Sequence, residues 1–273
     1  MYRLIARAGS FLLFIFFLAC KPEESSLPKN WSCEINAGNC FKAGSDYKPL
    51  LSYFTSTNCP ICGKKGNDYF EDLIQNHSFI TPLAIHFGHG DPLESEDALS
   101  LFSYFKPSYS PTLFLNSSKL MVDNDSGDIY WDSTKAKTKG LISKLSKETV
   151  NFKMGFEAIQ NPENIAMRTY ILDSPDESTE YYVSYLLLEN SVNASQKASL
   201  KSTHDHVFRR FITSENRLLK KNSESVYLDE FEFTLSDSEL KASSLSLLAI
   251  LWQKSETSGE AFIANTRNIS FKP

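Results

Sequence analysis

"STNCPICGKKGNDYF", residues 56–70, contains two cysteines three positions apart, with a proline directly after the first. A cysteine at the start of a helix points its sulfur at unpaired backbone N–H groups and at the positive end of the helix dipole, which lowers the pKa of the thiol. Proline is favoured at the first helical position, where an N–H would have no partner. The stretch therefore predicts a helix that begins at Pro60, with Cys59 as the nucleophile and Cys62 as the resolving thiol.

The segments around this stretch alternate between strand-like and helix-like patterns up to about residue 150. Short apolar runs rich in β-formers indicate strands, and apolar residues spaced three to four apart indicate helices. The predicted strands are 47–56, 79–87, 111–116 and 119–123, and the predicted helices are 60–75, 94–105 and 133–148.

Beyond residue 150 the pattern changes to about seven short strand-like segments separated by clusters of Ser, Asn, Asp and Lys. Such spacing is typical of a β-sandwich. In the fifth segment Val226 and Leu228 share one face, whereas Phe231 and Phe233 fall on the opposite parity. A β-bulge near Asp229–Glu230 is predicted to reconcile them.

The N-terminus carries Arg3 and Arg7 followed by an apolar run at 11–18, which is too short to span a bilayer comfortably. We interpret residues 1–19 as a signal peptide. The ending Phe-Leu-Ala-Cys at Cys20 resembles a bacterial lipoprotein processing box, in which the cysteine is lipidated and becomes the first mature residue. The alternative is an ordinary signal peptide with a chance cysteine.

A lipidated Cys20 predicts a protein held at a membrane of the bacterial cell envelope through its lipid anchor, with residues 20–44 forming a tether and a short disulfide loop. Lys21 stands where an aspartate often retains lipoproteins at the inner membrane, so the outer membrane is favoured. The net charge of −5, without a long basic run, argues against nucleic acid as a partner.

The remaining four cysteines lie in an oxidising compartment, where disulfides are permitted. Cys33 and Cys40 are close in sequence and are predicted to form a structural disulfide. Pairing of either one with Cys59 or Cys62 stays open, because connectivity cannot be deduced from spacing alone.

Three interpretations of the close cysteine pair are open: a redox-active site, a static disulfide and a metal clip. The metal alternative would combine the pair with His86 and His89, which end the second predicted strand. Isolated histidines at a strand end are more often packed against neighbours, so no metal and no cofactor is predicted.

"Ser110-Pro111-Thr112" begins the third predicted strand, 52 positions after Cys59. A strand, a cysteine pair that opens a helix and a proline before a later strand together resemble the thioredoxin superfamily over roughly residues 45–148. The resemblance implies that Pro111 follows a cis peptide bond and lies beside the cysteine pair. The residues that it assigns to substrate binding are Pro111, Ser110, Thr112, Pro60 and Ile61.

The sequence departs from that superfamily at Tyr53 and directly before the pair, where an aromatic residue is often found and this chain has Ser-Thr-Asn. Tyr53 stands six residues before Cys59, where thioredoxins usually carry a buried acidic residue that accepts a proton. Efficient help from a general base is therefore not expected here.

"FTSTNCPIC", "LAIHFGHGDPLES" and "YSPTLFLN" taken together resemble a family of bacterial outer-membrane lipoproteins named for a 28-kilodalton member. That resemblance implies a thioredoxin-like domain joined to a C-terminal β-sandwich. The predicted fold is thus an α/β thioredoxin-like domain at 45–149 followed by an all-β sandwich domain at 150–273.

The predicted function is that of a membrane-anchored thiol–disulfide oxidoreductase acting on extracytoplasmic proteins that carry thiols or disulfides. The alternative is a non-enzymatic outer-membrane lipoprotein that binds a partner or has a structural role, with the thioredoxin fold as a scaffold. Fold alone does not separate the two.

Overall fold

The computed structural model describes residues 47–88, 90–121, 129–160, 164–174, 179–214, 216–223, 225–242, 244–254 and 261–271. The predicted signal peptide, the lipidated Cys20, the tether and the Cys33–Cys40 disulfide lie outside these residues, as does His89. They stay predictions. Within the described ranges, no helix is long and apolar enough to span a bilayer.

Three α-helices and fifteen strands are found in this part of the chain. The elements before residue 150 are β1 (Leu50–Thr55), α1 (Asn67–Asn76), β2 (Thr81–His86), α2 (Ala98–Phe105), β3 (Thr112–Leu115), β4 (Ser118–Lys119) and α3 (Trp131–Leu145). The later strands are β5 (Lys153–Gln160), β6 (Ile165–Leu172), β7 (Tyr181–Glu189), β8 (Val192–Asn193), β9 (Thr203–His204), β10 (Val207–Phe211), β11 (Arg217–Leu218), β12 (Lys220–Lys221), β13 (Tyr227–Phe233), β14 (Leu245–Lys254) and β15 (Ala261–Phe271).

Nine strands form one large sheet in the order β15-β14-β7-β10-β2-β1-β3-β4, with β11 paired to β7. β1 runs parallel to β2 and antiparallel to β3. The link between the early and the late strands is a parallel pairing of β10 with β2, where Val207 lies opposite Ala84. The N–H of Ala84 donates to the carbonyl of His206 at 2.9 Å. This pairing occupies an edge of β2 that would otherwise present unpaired backbone groups.

The predicted fold class, an α/β thioredoxin-like domain followed by an all-β sandwich domain, is wrong. The described chain is mostly β, and β1 to β4 do not form a sheet of their own. They are one end of a sheet whose other strands come from beyond residue 150. Sequence periodicity failed here because it shows which segments are strands and not which distant strands pair.

The later strands do give the molecule a β-sandwich-like part. A second sheet, in the order β12-β13-β6-β5, faces the strands β7 and β14 of the large sheet. Buried side chains from both sheets fill the space between them, among them Met154, Met167, Tyr185 and Leu247. Burial of such apolar area is the main favourable term for packing two sheets.

The bulge predicted near Asp229–Glu230 is absent, because β13 pairs with β6 without a shift from Tyr227 to Phe233. Asp229 lies on the inner face with Tyr227, and its carboxylate accepts hydrogen bonds from the Tyr185 hydroxyl at 3.1 Å and from the Arg217 Nε at 2.7 Å. A buried carboxylate is tolerated when it is paired in this way. The sequence-based prediction assumed that the inner face would be apolar throughout.

One buried cluster joins the two halves of the chain. It packs Phe54 of β1 and Ile85 of β2 against Phe208 of β10 and Leu248 of β14, under Phe105 of α2. The other face of β1 to β3 is covered by α1 and α3 through a separate cluster. The helix that carries the cysteines therefore lies on one face of the sheet, and the shared core lies on the other.

α2 begins at Ala98 and not at residue 94 as predicted. The preceding residues form hydrogen bonds to strand β10 instead: the Ser95 hydroxyl donates to the Arg209 carbonyl, and the Asp97 carboxylate accepts from the N–H of Phe211 at 2.8 Å. These tertiary bonds hold residues 94–97 outside the helix, and the sequence pattern gives no sign of them.

Candidate functional site

Cys59 and Cys62 form a disulfide at the start of the helical segment that follows β1, with their Cα atoms 5.3 Å apart. Cys59 has 6% of its surface exposed and Cys62 has 0%. Pro60 and Ile61 lie between them on the surface, and Ile61 is 50% exposed. The less buried sulfur is therefore that of the residue predicted to be the nucleophile.

The backbone around Cys59 offers a donor to its sulfur. The N–H of Cys62 points at Cys59 Sγ at 3.1 Å. In the reduced state the same N–H would face a thiolate, and a hydrogen bond to an ionised acceptor is stronger than one to a neutral acceptor. The start of the helix thus favours the charged form of Cys59.

The helical segment carries a π-helical turn directly at the second cysteine. Residues Cys62–Gly66 have this geometry, and the N–H of Asn67 donates to the carbonyl of Cys62, five residues earlier. A Cβ at Gly63 would overlap the Lys197 carbonyl, and one at Gly66 would overlap the Tyr53 hydroxyl. The two glycines let this turn approach its neighbours closely. Such turns occur frequently at functional sites.

Pro111 and its neighbours lie beside the cysteine pair. The peptide bond between Ser110 and Pro111 is cis, and the Ser110 carbonyl oxygen is 3.6 Å from Cys59 Sγ. Pro111 is buried against the position of Gly66. Thr112 is buried at the start of β3, where its hydroxyl donates to the Tyr109 carbonyl at 2.6 Å. The structure therefore brings Ser110 and Pro111 to Cys59 and turns the Thr112 side chain inward.

Tyr53 begins a buried chain of polar groups under the helix. Burial raises the pKa of Tyr53 far above its usual value, so the phenol stays protonated. Its hydroxyl donates to Asn67 Oδ1 at 2.9 Å. The Asn67 amide in turn donates to Gln196 Oε1 at 3.2 Å. The position that is acidic in thioredoxins thus holds a neutral donor.

Gln196 completes this chain from the connection between β8 and β9. Its Nε2 lies within hydrogen-bond distance of the carbonyls of Ser56, Thr57 and Cys59, at 3.2, 3.0 and 3.2 Å. Sequence reasoning missed Gln196 because it lies 137 positions from Cys59. Asn67, in the helix itself, could have been found as a polar residue on the face that Tyr69, Phe70 and Leu73 bury.

His86 does not face the cysteines as a ligand of the predicted alternative metal clip. Its Nδ1–H donates to the Asp91 carboxylate at 2.8 Å, and both side chains are buried. Asp91 also accepts from the N–H and the hydroxyl of Thr57, at 2.8 and 3.0 Å. Across the described ranges, no group of three or more His, Cys, Asp or Glu side chains is arranged to hold a metal ion.

The pKa of Asp91 reflects two opposing effects. Burial alone would raise it, but the hydrogen bond and charge of His86 and the N–H groups of Leu93 and Thr57 together hold it well below its usual range. Asp91 therefore stays ionised. Its carboxylate anchors the residues that lead into the cysteine pair.

A cavity of about 670 Å³ lies between α1 and the connection that runs through residues 199–206. His86 and His204 line it with their rings edge to face, 5.2 Å between centroids. Burial lowers the pKa of His204 to about 4, assisted by His86 and opposed by the hydrogen bond to the Ala194 carbonyl. Burial also lowers the pKa of His206, another lining residue.

Comparisons with known proteins give a likeness of fold. No model of a protein family matches the chain, and no curated protein matches it. Among solved structures it is similar to HBP35 of Porphyromonas gingivalis, with 14% identity and a TM-score of 0.64 over 84% of this chain and 76% of that one. A DUF3823 family protein from Bacteroides ovatus has 14% identity and a TM-score of 0.27 over 45% of this chain and 56% of that one. The likeness to HBP35 concerns the fold alone.

Proposed function

We propose that the protein is an envelope lipoprotein, anchored through Cys20 in the outer membrane, that exchanges disulfides with extracytoplasmic proteins. The observation that carries this proposal is the position of Cys59. Its sulfur accepts the N–H of Cys62 at the start of a helix and lies 3.6 Å from the Ser110 carbonyl. The N–H and the helix start favour the thiolate that exchange requires, and the nearby Ser110 places Cys59 beside the proposed substrate-binding residues.

The exchange begins when the Cys59 thiolate attacks one sulfur of a substrate disulfide. The new bond is a mixed disulfide, and the other substrate sulfur leaves as a thiolate. Cys62 then attacks Cys59 Sγ, which breaks the mixed disulfide, and the proton of Cys62 ends on the second substrate sulfur as it leaves. Two electrons pass from the cysteine pair to the substrate. The same steps in reverse oxidise a substrate dithiol.

The substrate would contact the rim around Cys59. Pro60 and Ile61 are exposed on one side of the pair, and Ser110 and Pro111 stand on the other. The apolar, half-exposed side chain of Ile61 is suited to pack on an unfolded or extended segment of a protein. We assign Ser110 and Pro111, with the backbone of Thr112, to the binding of that segment.

Replacement of Cys62 with Ser tests the proposal. Without the resolving thiol the mixed disulfide should persist, so Cys62→Ser should accumulate covalent adducts with other envelope proteins. The matched control is Cys59→Ser, which should form few adducts because Cys62 is fully buried. The measurement is non-reducing electrophoresis of the envelope, with mass spectrometry of the bands that disappear on reduction. Equal trapping by both variants, or by neither, would contradict the proposal.

A second candidate function is a non-enzymatic, partner-binding lipoprotein, and a cleft on the other face of the sheet favours it. The cleft has a volume of about 1,130 Å³ and is lined by Tyr104, Trp252 and Phe262. Tyr104 and Phe262 are each more than one-third exposed. Aromatic side chains of this kind are enriched where proteins bind partners. Absence of adducts from Cys62→Ser would favour this reading.

A further inference from the structure

Residues 56–63, which we call the cysteine turn, are held by a segment from beyond residue 150. This clamp, residues 194–202 between β8 and β9, lies against the residues that flank Cys59. The N–H of Lys197 donates to the Thr57 carbonyl at 2.8 Å, and the Lys197 carbonyl packs against Gly63. The ammonium of Lys201 pairs with Glu71 of α1.

Gln196 is the clamp residue with the most bonds to the cysteine turn. It is 4% exposed, and its Nε2 faces the carbonyls of Ser56, Thr57 and Cys59. Each carbonyl also has a backbone partner of its own: the N–H of Cys59, of Lys197 and of Gly63. The two N–H groups of the amide are therefore shared among three oxygens that each already accept a backbone hydrogen bond, and loss of the amide would leave none of them without a partner.

The position of this amide affects the stability of a thiolate on Cys59. Three carbonyl oxygens directed to one point create a negative potential beside the cysteine pair, and the amide N–H groups offset it. A thiolate on Cys59 adds a further negative charge nearby, so it is more stable when the donors are present. The disulfide carries no charge and gains less from them.

We propose that Gln196 is a positioning residue for the cysteine pair. The clamp, residues 194–202, then helps to determine how readily the Cys59–Cys62 disulfide is reduced. This inference rests on the proposed function, because it concerns the same pair of thiols. Gln196 acts through the carbonyls of the turn and does not touch the substrate.

The test measures the equilibrium of the full-length protein with reduced and oxidised glutathione. Gln196→Met keeps the length of the side chain and removes its donors. We expect the equilibrium constant for reduction to fall about tenfold, which moves the reduction potential about 30 mV to more negative values. Iodoacetamide labelling of reduced Cys59 should require a correspondingly higher pH.

Gln196→Glu adds a second measurement, the pH dependence of the reduction potential, which a purely structural role of Gln196 would leave unchanged. Burial among carbonyl oxygens raises the pKa of an introduced carboxyl. Its protonated form can donate one hydrogen bond, so the potential should lie near the wild-type value at low pH. The difference from wild type should grow as the carboxyl ionises. Because both pH limits are measured on one folded protein, this variant remains decisive if Gln196→Met does not fold.

Lys201→Gln is the matched control, since it removes an ion pair of the same clamp and leaves Gln196 intact. Its potential should equal that of the wild type. If both Gln196 variants fold, are reduced, and keep the wild-type potential at every pH, the positioning role is overturned while the proposed function stands. If the wild-type pair is not reduced even by dithiothreitol, the proposed function and this inference fail together.

Discussion

At the scale of single residues, the surroundings of the cysteine pair are set by which buried groups carry charge. Tyr53 stays neutral and donates, Asp91 stays ionised and accepts, and the imidazole of His204 is neutral near pH 7. The Nε2–H of that imidazole donates to the Ala194 carbonyl at 3.0 Å, at the start of the clamp. The protonation of one histidine is therefore linked to the segment that holds the cysteine turn.

His204 predicts a loss of stability in mild acid. The imidazole protonates at its ordinary value of 6.5 in the unfolded chain and at about 4 in the folded one. Between these two values the unfolded state binds more protons, so the free energy of unfolding falls as the pH is lowered. Below about pH 4 both states are protonated and this contribution stops changing.

Urea denaturation between pH 7 and pH 4 measures the effect. His204→Gln keeps a neutral donor for Ala194 and should lose less stability than the wild type over this interval. The control His77→Gln lies at the end of α1, outside the cavity, and should follow the wild-type curve. A His204→Gln curve parallel to that of the wild type would refute the assignment.

At the scale of elements, the helical segment of the cysteines is defined by what packs on it. The π-helical turn places Gly63 against the clamp and Gly66 against Tyr53 and Pro111. A regular α-helix with larger residues at these positions would push the segment away from both neighbours. The geometry of the cysteine pair therefore depends on glycine, which has no side chain, at positions 63 and 66.

Gly63→Ala should destabilise the protein by about 1–3 kcal/mol, because the added methyl overlaps the Lys197 carbonyl, which is backbone and cannot move away cheaply. The matched control is Gly140→Ala in α3, where a Cβ meets nothing within 4 Å. That variant should gain about 0.4–1 kcal/mol, since alanine favours helix and restricts the unfolded chain. Chemical denaturation of the two variants gives both values, and equal effects would rule out the predicted contact.

Local sequence signals predicted much of this region, and tertiary bonds account for the rest. The strand before the cysteines, the helix after them and the strand that begins after Pro111 follow from spacing, proline placement and apolar runs. The late start of α2 and the regular β13 could not be predicted, because Ser95 and Asp229 are placed by partners far away in sequence. The contacts of Gln196 with the cysteine turn could not be predicted for the same reason.

At the scale of the whole molecule, the large sheet crosses residue 150. Phe54 and Ile85 from the early strands and Phe208 and Leu248 from the late ones share one buried cluster. Sequence composition showed the change from mixed to all-strand pattern correctly, but a change of pattern does not require a change of core. The proposed boundary between 45–149 and 150–273 stays a prediction that unfolding experiments can test.

The shared cluster predicts that both halves unfold together. Trp131 reports on α3 and packs edge to face on Tyr69, whereas Trp252 reports on β14 and donates its Nε1–H to Ser184 at 2.7 Å. Each can be made the sole tryptophan by replacing the other two, Trp31 included, with Phe. Within each variant, the fluorescence midpoint in urea should coincide with the midpoint of far-ultraviolet circular dichroism, as a two-state transition requires.

Comparison within one variant removes the effect of the replacements on stability. Trp252→Phe will itself weaken the shared cluster, since it removes a buried indole and its hydrogen bond, but it should lower both midpoints of that protein equally. A Trp131 signal that changes at a urea concentration different from the circular dichroism would mean that residues before 150 unfold on their own. The cluster around Phe54 and Phe208 would then be an interface between two independent units, and the cysteine turn could lose its clamp without unfolding.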